Sequence, residues 1–379
     1  MKRNRETFMK TEHFIENAKE IFESISPNFL KAFGPWILKH PRYLFKYKKL
    51  LNTYKETEQK RSEFMDRGIM VPPVLILSIT SKCNLKCSGC LAFAAGTVKK
   101  QVVDLDISEW KRIIREANDL GVFCYFIAGG EPFIFDGLLD ICSTYKDRFF
   151  LIMTNGTAIR EDHFKKIRKL SNVLVTVSVE GNEEITYRRR GSGVYEKVIS
   201  SKEKLREIGV LFGISVTIER SNYEYWIKSL AMKKYLNMGV RLAFFFEYIP
   251  VDSNENDSKR VLKREERKKF REWINKFRKD NPVLIIHSPG DEERFGGCVS
   301  AGRGFAHITP QGDLTPCPVT NASTHNITKR SLEKGLSSQL FKKIREREHL
   351  LETENSPCAL AAHPEELNKI LDEISSKEQ

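Results

Sequence analysis

From residue 74 onward the chain repeats one pattern six times: a short apolar run, then an amphipathic stretch long enough for a helix. The runs are VLILSI (74–79), VFCYFIA (122–128), FFLIM (149–153), VLVTVSV (173–179), LFGISVTI (211–218) and LAFFFEYI (242–249). Helical periodicity falls near 106–119, 137–146, 161–170, 195–208, 223–238 and 264–279. Six strand–helix units in succession read as a parallel sheet covered by helices. In barrel-like sheets of this kind the chemistry gathers at the C-terminal ends of the strands. The residues that follow each apolar run are therefore where a site is expected.

At 379 residues the chain has room for a catalytic domain of about 200–250 residues with smaller appendages. Residues 1–72 read as a separate helical region, with periodicity over His13–Ser26 and again from Pro27 towards Arg67, broken near Pro35 and Pro41. Residues 73–294 carry the six units and end in a highly charged linker and helix over 253–280. Residues 295–379 form a third region. In it, GFAHITPQGDLTPC places a Pro-Gln-Gly-Asp turn between two short strands, and a polar helix follows from Glu365.

No apolar run approaches the roughly 18–20 residues of a membrane-spanning helix, and the charged start MKRNRETFMKTEHF lacks a signal-peptide core. The default compartment is the cytoplasm. The net charge of +13 suits an anionic partner such as nucleic acid or anionic lipid, and equally suits plain solubility. No recognisable RNA-binding module supports an RNA substrate. The charge is concentrated between Ser24 and Lys55, which hold seven Lys/Arg and no Asp/Glu, interleaved with Phe29, Phe33, Trp36, Tyr43, Phe45 and Tyr47. Such a helix can lie in a membrane interface as a peripheral contact, or cap the barrel with a solvated basic face.

There are eight cysteines: Cys83, Cys87, Cys90, Cys124, Cys142, Cys298, Cys317 and Cys358. A large chain with no export signal and three cysteines within eight residues points to metal or cluster ligation rather than disulfides. Cys124 and Cys142 sit in apolar surroundings and read as core residues. Cys83-Asn-Leu-Lys-Cys87-Ser-Gly-Cys90 follows the first strand directly. Thiolates suit iron in clusters and zinc. Three close cysteines can grip three irons of a cubane and leave the fourth open to another ligand. A structural zinc site normally takes four protein ligands, and no fourth Cys or His lies nearby. A zinc-stabilised interaction protein is the non-enzymatic alternative.

In these motifs the sequence resembles the radical S-adenosylmethionine (SAM) superfamily, whose hallmark is CxxxCxxC after the first barrel strand. The resemblance continues in order along the chain. Gly129-Gly130-Glu131-Pro132 matches the segment that binds the SAM amino group, and Thr154-Asn155-Gly156-Thr157 matches the TNG turn. Ser178-Val-Glu180-Gly181 stands where the family usually has Ser-x-Asp-Gly facing SAM, and Arg190-Gly191 matches an arginine that reaches the SAM carboxylate. Two residues depart from the pattern: Gly89 replaces an aromatic residue that packs near the adenine, and Glu180 replaces the Asp.

Cys298, Cys317 and Cys358 resemble a shortened SPASM or Twitch extension, in which such cysteines hold an auxiliary [4Fe–4S] cluster. The position where a fourth cysteine often stands is Ala361, which leaves the fourth iron open, or filled by His363 or a substrate atom. The resemblance implies a partial (β/α)6 barrel of the TIM type, with a helical N-terminal region and a small C-terminal β-hairpin iron–sulfur extension. It implies a [4Fe–4S] cluster on Cys83, Cys87 and Cys90 with SAM, and a second on Cys298, Cys317 and Cys358. Flavodoxin or ferredoxin would supply the electron that cleaves SAM to methionine and a 5′-deoxyadenosyl radical. That radical would take hydrogen from an unactivated C–H bond of a peptide or a membrane lipid.

Overall fold

The structure, a computed structural model, describes residues 31–34, 36–40, 43–99, 102–228, 230–250, 258–353 and 356–378. The helix expected over His13–Ser26 and residues 24–30 of the basic segment lie outside them.

Seven strands follow one another across a parallel sheet: β1 (Val74–Thr80), β2 (Cys124–Gly129), β3 (Phe149–Thr154), β4 (Val173–Ser178), β5 (Phe212–Ile218), β6 (Leu242–Glu247) and β7 (Leu284–Ser288). At the other edge β8 (Phe305–Ile308) pairs with β1, also in parallel. Antiparallel β9 (Asp313–Thr315) and β10 (His325–Asn326) then complete ten strands. The order runs from β10 to β7 without joining its ends, so the sheet is an open, partial barrel. The six expected units are all present. β7 escaped the sequence reading because LIIHS is short and ends in polar residues.

Helices among the described residues include α1 (Leu44–Asp66), α2 (Leu91–Ala94), α3 (Ile107–Leu120), α4 (Leu138–Thr144), α5 (Glu161–Lys169), α6 (Glu183–Arg190), α7 (Val194–Glu207), α8 (Tyr223–Lys228), α9 (Ala231–Asn237), α10 (Arg264–Asp280), α11 (Leu332–Leu336), α12 (Gln339–Glu346) and α13 (Pro364–Glu378). α3 shows why these segments are helical and where they sit. Asp106 caps its start by accepting from the Glu109 N–H at 2.9 Å, and Gly121 ends it at φ 97°. Its apolar stripe, Trp110, Ile113, Ile114 and Ala117, is buried against the sheet, at roughly 1.5–3 kcal/mol for each large side chain removed from water. α6 was not expected from the sequence; Asn182 caps it through the Ile185 N–H at 3.0 Å.

The larger core lies between these helices and alternate strand residues such as Leu75, Leu77, Tyr125, Ile152 and Val177. A second, smaller core forms on the opposite face of the sheet. There Ala32 and Phe33 pack with Leu151, Leu174, Leu242 and Phe244, with Ile37 beside them. Part of the basic aromatic segment thus covers protein. Trp36 packs at a tilt against His40 and Tyr43, with ring centres 4.6 and 4.7 Å away. No described helix is long and apolar enough to cross a membrane.

His307 on β8 is buried and ties the two strands that flank β8, β1 and β9. Its Nε2 lies 2.8 Å from Ser78 Oγ and its Nδ1 2.8 Å from Thr315 Oγ1. Thr315 spends its own hydrogen on the Cys317 carbonyl at 3.0 Å. Thr315 must therefore accept from Nδ1–H, which leaves Nε2 to accept from Ser78.

Candidate active site

The loop that carries Cys83, Cys87 and Cys90 leaves the C-terminal end of β1 and is held by the ends of the neighbouring strands. Asp104 accepts from Thr80 Oγ1 at 2.7 Å and from the Ser81 N–H at 3.0 Å. The Gly130 and Glu131 N–H groups donate to Thr80 O and Lys82 O, each at 2.8 Å. Asn84 donates to Thr157 Oγ1 at 2.8 Å and accepts from Asn155 Nδ2 at 2.9 Å. From the far side the Ser88 N–H donates to Arg189 O at 2.8 Å. The three thiols are free and partly exposed.

The matched motif residues surround this loop. Gly129 and Gly130 are required by closeness: a Cβ would come within 2.6 Å of Thr80 O at the first and 2.0 Å of Lys82 O at the second. Pro132 opens a helical turn that buries Phe133. Glu131 itself points inward, 1% exposed, where its carboxylate accepts from Thr154 Oγ1 at 2.6 Å, the Asn155 N–H at 2.7 Å and the Phe133 N–H at 3.1 Å. Burial raises its pKa, and those hydrogen bonds oppose the shift. What this segment presents to the cysteine loop is backbone, and its side chain fixes the TNG turn. Ser178 ends β4 beside Ser215, 3.2 Å between the hydroxyls.

Glu180 is fully buried and collects two guanidiniums on one oxygen. Its Oε1 accepts from Arg189 Nη1 at 2.5 Å and from Arg190 Nε at 2.7 Å, while Oε2 has no partner among the described residues. Asn222 Nδ2 and Trp226 Nε1 hold its backbone carbonyl at 3.2 Å each. Arg190 Nη1 lies 4.0 Å from Cys87 Sγ. Burial pushes the Cys87 thiol up, and Arg190 and then Arg189 pull it back towards the thiolate. The Cys83 thiol is likewise raised by burial, with the Leu85 backbone N–H opposing. Sequence reasoning missed Arg189; its only signal was the run Arg188-Arg189-Arg190 at the end of α6.

Gly89 adopts φ 61°, and a Cβ there would lie 2.2 Å from Arg260 Nη1 and 2.6 Å from Tyr248 Cε2. The absence of an aromatic side chain at this position is matched by a tyrosine arriving from the end of β6. Arg260 lies over the Tyr248 ring, 4.1 Å from its centre, and donates to Glu219 Oε2 at 2.6 Å and to Ser88 Oγ at 3.3 Å.

Cys298 and Cys317 flank the β8–β9 hairpin. The Ala301 N–H donates to Pro316 O at 3.1 Å, which brings the entry of the hairpin beside Cys317, and the Cys298 N–H donates to Leu351 O at 2.7 Å. Cys298 and Cys317 are buried. Burial raises all three thiols, Cys358 to about 11; the charge of Cys358 adds to the shifts of Cys298 and Cys317, and that of Cys317 to the shift of Cys298. Cys124, by contrast, is pushed to about 12 by burial alone, and Cys142 is a core residue. Among the described residues no three His, Cys, Asp or Glu side chains close on a single metal-ion position. A four-iron cubane asks for a wider triangle of sulfurs than one ion does. Two sets of three free thiols, one flanked by arginines and an unpartnered carboxylate oxygen, fit that kind of group.

The Radical SAM superfamily model matches residues 77–232, and an iron–sulfur cluster-binding domain model, SPASM, matches residues 298–360. The chain is 28% identical over 153 residues to Fe-coproporphyrin III synthase of Methanosarcina barkeri, covering 40% of this chain and 38% of that one. It is 25% identical over 284 residues to the antilisterial bacteriocin subtilosin biosynthesis protein AlbA of Bacillus subtilis, covering 70% of this chain and 60% of that one. The chain thus spans less than two thirds of the length of either relative. Its fold is similar to that of Streptococcus suis SuiB bound to the precursor peptide SuiA, with a TM-score of 0.63, 18% identity and 76% and 70% of the two chains covered.

Proposed function

With a radical SAM domain and a SPASM iron–sulfur domain, the chain belongs to the radical SAM superfamily, and we propose that it uses SAM to remove hydrogen from an unactivated C–H bond of a peptide. One observation carries this reading: three free, partly exposed thiols on a loop locked to the strand ends, with Arg190 beside Cys87. Cys83, Cys87 and Cys90 would hold a [4Fe–4S] cluster. With an electron from flavodoxin or ferredoxin and SAM bound, that cluster supplies the cleavage of SAM to methionine and a 5′-deoxyadenosyl radical. The chemistry is the cofactor's, and the protein orients and shields it.

The chain's own residues divide the remaining work. Asn84 and Asn155 hold the cysteine loop against the TNG turn, so the thiols keep one arrangement as the cluster changes oxidation state. Arg190 offers a guanidinium to the SAM carboxylate. The unpartnered Oε2 of Glu180 can accept a donor such as a ribose hydroxyl, which supports the role expected of the usual aspartate. Gly129, Gly130 and Pro132 bring backbone close to the loop for the SAM amino group, with Glu131 and Thr154 fixing their position. Ser178 adds a polar side chain at the end of β4. Cys298, Cys317 and Cys358 would hold an auxiliary cluster that accepts an electron from the substrate radical or binds the substrate.

A peptide substrate is supported by the relative in bacteriocin biosynthesis. The membrane-lipid reading loses support where Phe33, Ala32 and Ile37 of the basic segment cover the sheet rather than face outward. Anaerobically reconstituted protein should form 5′-deoxyadenosine from SAM and a reductant and bind about eight irons, two cubanes' worth. Replacing Cys83, Cys87 and Cys90 together by Ala should abolish the product and leave about four irons. Undiminished 5′-deoxyadenosine in that variant, or zinc without sulfide in the wild type, would overturn the proposal. Deuterium passing into 5′-deoxyadenosine from a labelled peptide would fix the substrate class; transfer from a labelled lipid or tetrapyrrole instead would refute that part.

A further inference from the structure

Ser88 and Gly89 separate Cys87 from Cys90, and one buried arginine holds them both. The Ser88 N–H donates to Arg189 O at 2.8 Å, and Arg189 Nη2 donates to Gly89 O at 3.4 Å. The last turn of α6 is thereby fastened to the middle of the cysteine loop. The Arg189 side chain is only 8% exposed, and its Nε is buried without a hydrogen-bond partner among the described residues.

Charge is unevenly matched at this point. Arg189 and Arg190 share one carboxylate oxygen, Oε1 of Glu180. Two guanidiniums against one carboxylate leave one positive charge over. From the other side Arg260 reaches Ser88, 3.3 Å from both its Oγ and its O, but Glu219 accepts from Arg260 at 2.6 Å and cancels that charge. A buried cation in excess is costly unless an anion is shared with it. Cys87 can supply one, and each of Cys87 and Arg189 pulls the other towards its charged form. A thiolate-held cluster becomes more negative when it gains an electron, so a fixed positive charge beside it favours the reduced form.

We propose that Arg189 is a positioning residue for the segment between Cys87 and Cys90, and that its fixed charge raises the reduction potential of the cluster on Cys83, Cys87 and Cys90. This rests on the reading of that triplet as a cluster site. The two neighbouring arginines then serve different steps: Arg190 meets the SAM carboxylate, and Arg189 eases the arrival of the electron.

The test uses the full chain, reconstituted anaerobically, in a redox titration followed by electron paramagnetic resonance. The first cluster is recognised by the change in its signal when SAM is added, and the second serves as an internal reference. Wild type is compared with Arg189→Met, Arg189→Gln and Arg189→Lys. Arg189→Met removes the charge and leaves Glu180 its hydrogen bond from Arg190 at 2.7 Å. Its first cluster should titrate at a more negative potential, with iron content, SAM affinity and the second cluster unmoved. Arg189→Gln should shift the same way, and Arg189→Lys, which keeps the charge, should return most of the way to wild type. A first cluster at the wild-type potential in either neutral variant would overturn the inference alone. So would a full shift in Arg189→Lys, because charge would then not be the cause. If neither neutral variant takes up the first cluster, Arg189 is a structural prop and the inference fails. A wild type with no SAM-responsive cluster would overturn the underlying assignment as well.

Discussion

Arg190 donates through Nε to Oε1 of Glu180 at 2.7 Å, and the same guanidinium stands 4.0 Å from the Cys87 sulfur. The carboxylate aims the arginine across the mouth of the sheet, where an incoming carboxylate would meet its free edge. An arginine fixed in this way loses little freedom when it binds a ligand.

Replacing Arg190 by Ala should therefore weaken SAM binding with little change in iron content. A charge-assisted hydrogen bond is worth roughly 1.5–3 kcal/mol, so affinity should fall about tenfold or more. Equilibrium binding to the reconstituted protein measures this; an unchanged affinity would show that Arg190 does not touch SAM.

Glu180→Ala should act on the fold itself. It would strand the buried Arg189 and Arg190 without their shared partner, and breaking a buried pair in this way costs about 3–5 kcal/mol. Urea unfolding should show the loss directly. Glu180→Gln, which keeps an acceptor oxygen, should be milder.

How much of this was legible in the sequence depends on whether a residue acts near its own strand or reaches across the fold. The alternation of apolar runs gave the six units, and Cys83, Cys87, Cys90 and the motif residues do lie at the strand ends it implied. Their roles were less visible. The match places Glu131 in the segment for the SAM amino group without saying where its side chain goes; it turns inward, because its partners Thr154 and Asn155 come from another strand. Tyr248 beside Gly89 carried no signal, since it belongs to no spaced motif. Loop geometry brings it in, and a one-dimensional pattern does not contain it.

Gly89→Ala should disturb the cysteine loop. The residue sits at φ 61°, and its new Cβ would meet Arg260 and Tyr248. The left-handed conformation alone costs a residue with a Cβ roughly 1–2 kcal/mol, before any clash. Lower cluster occupancy on reconstitution is the expected result, relieved in part when Tyr248→Ala is added. Full occupancy in the single variant would show that the loop yields easily.

Acid should find a weak point at His307. Burial lowers its pKa from 6.5 to about 3, so the ring is neutral in the fold while the unfolded chain takes up a proton near 6.5. Its contribution is complete above pH 6.5 and is lost progressively as pH falls towards about 3. Measured on protein without clusters, His307→Gln should flatten the fall of stability in that window. A wild-type slope in the variant would place the sensitivity elsewhere.

The pairing of β8 with β1 carries its own consequence. The segment that holds the second cysteine set is woven into the same sheet as the first, next strand to next strand, with Ser78, His307 and Thr315 bridging it at the side-chain level. A cofactor domain on a tether would let the gap between redox centres breathe, and tunnelling rates would rise and fall with each swing. With clusters on both cysteine sets, that gap would be set by the backbone lattice between β1 and β8, and electron traffic between the two sites would be timed by chemistry rather than by domain motion.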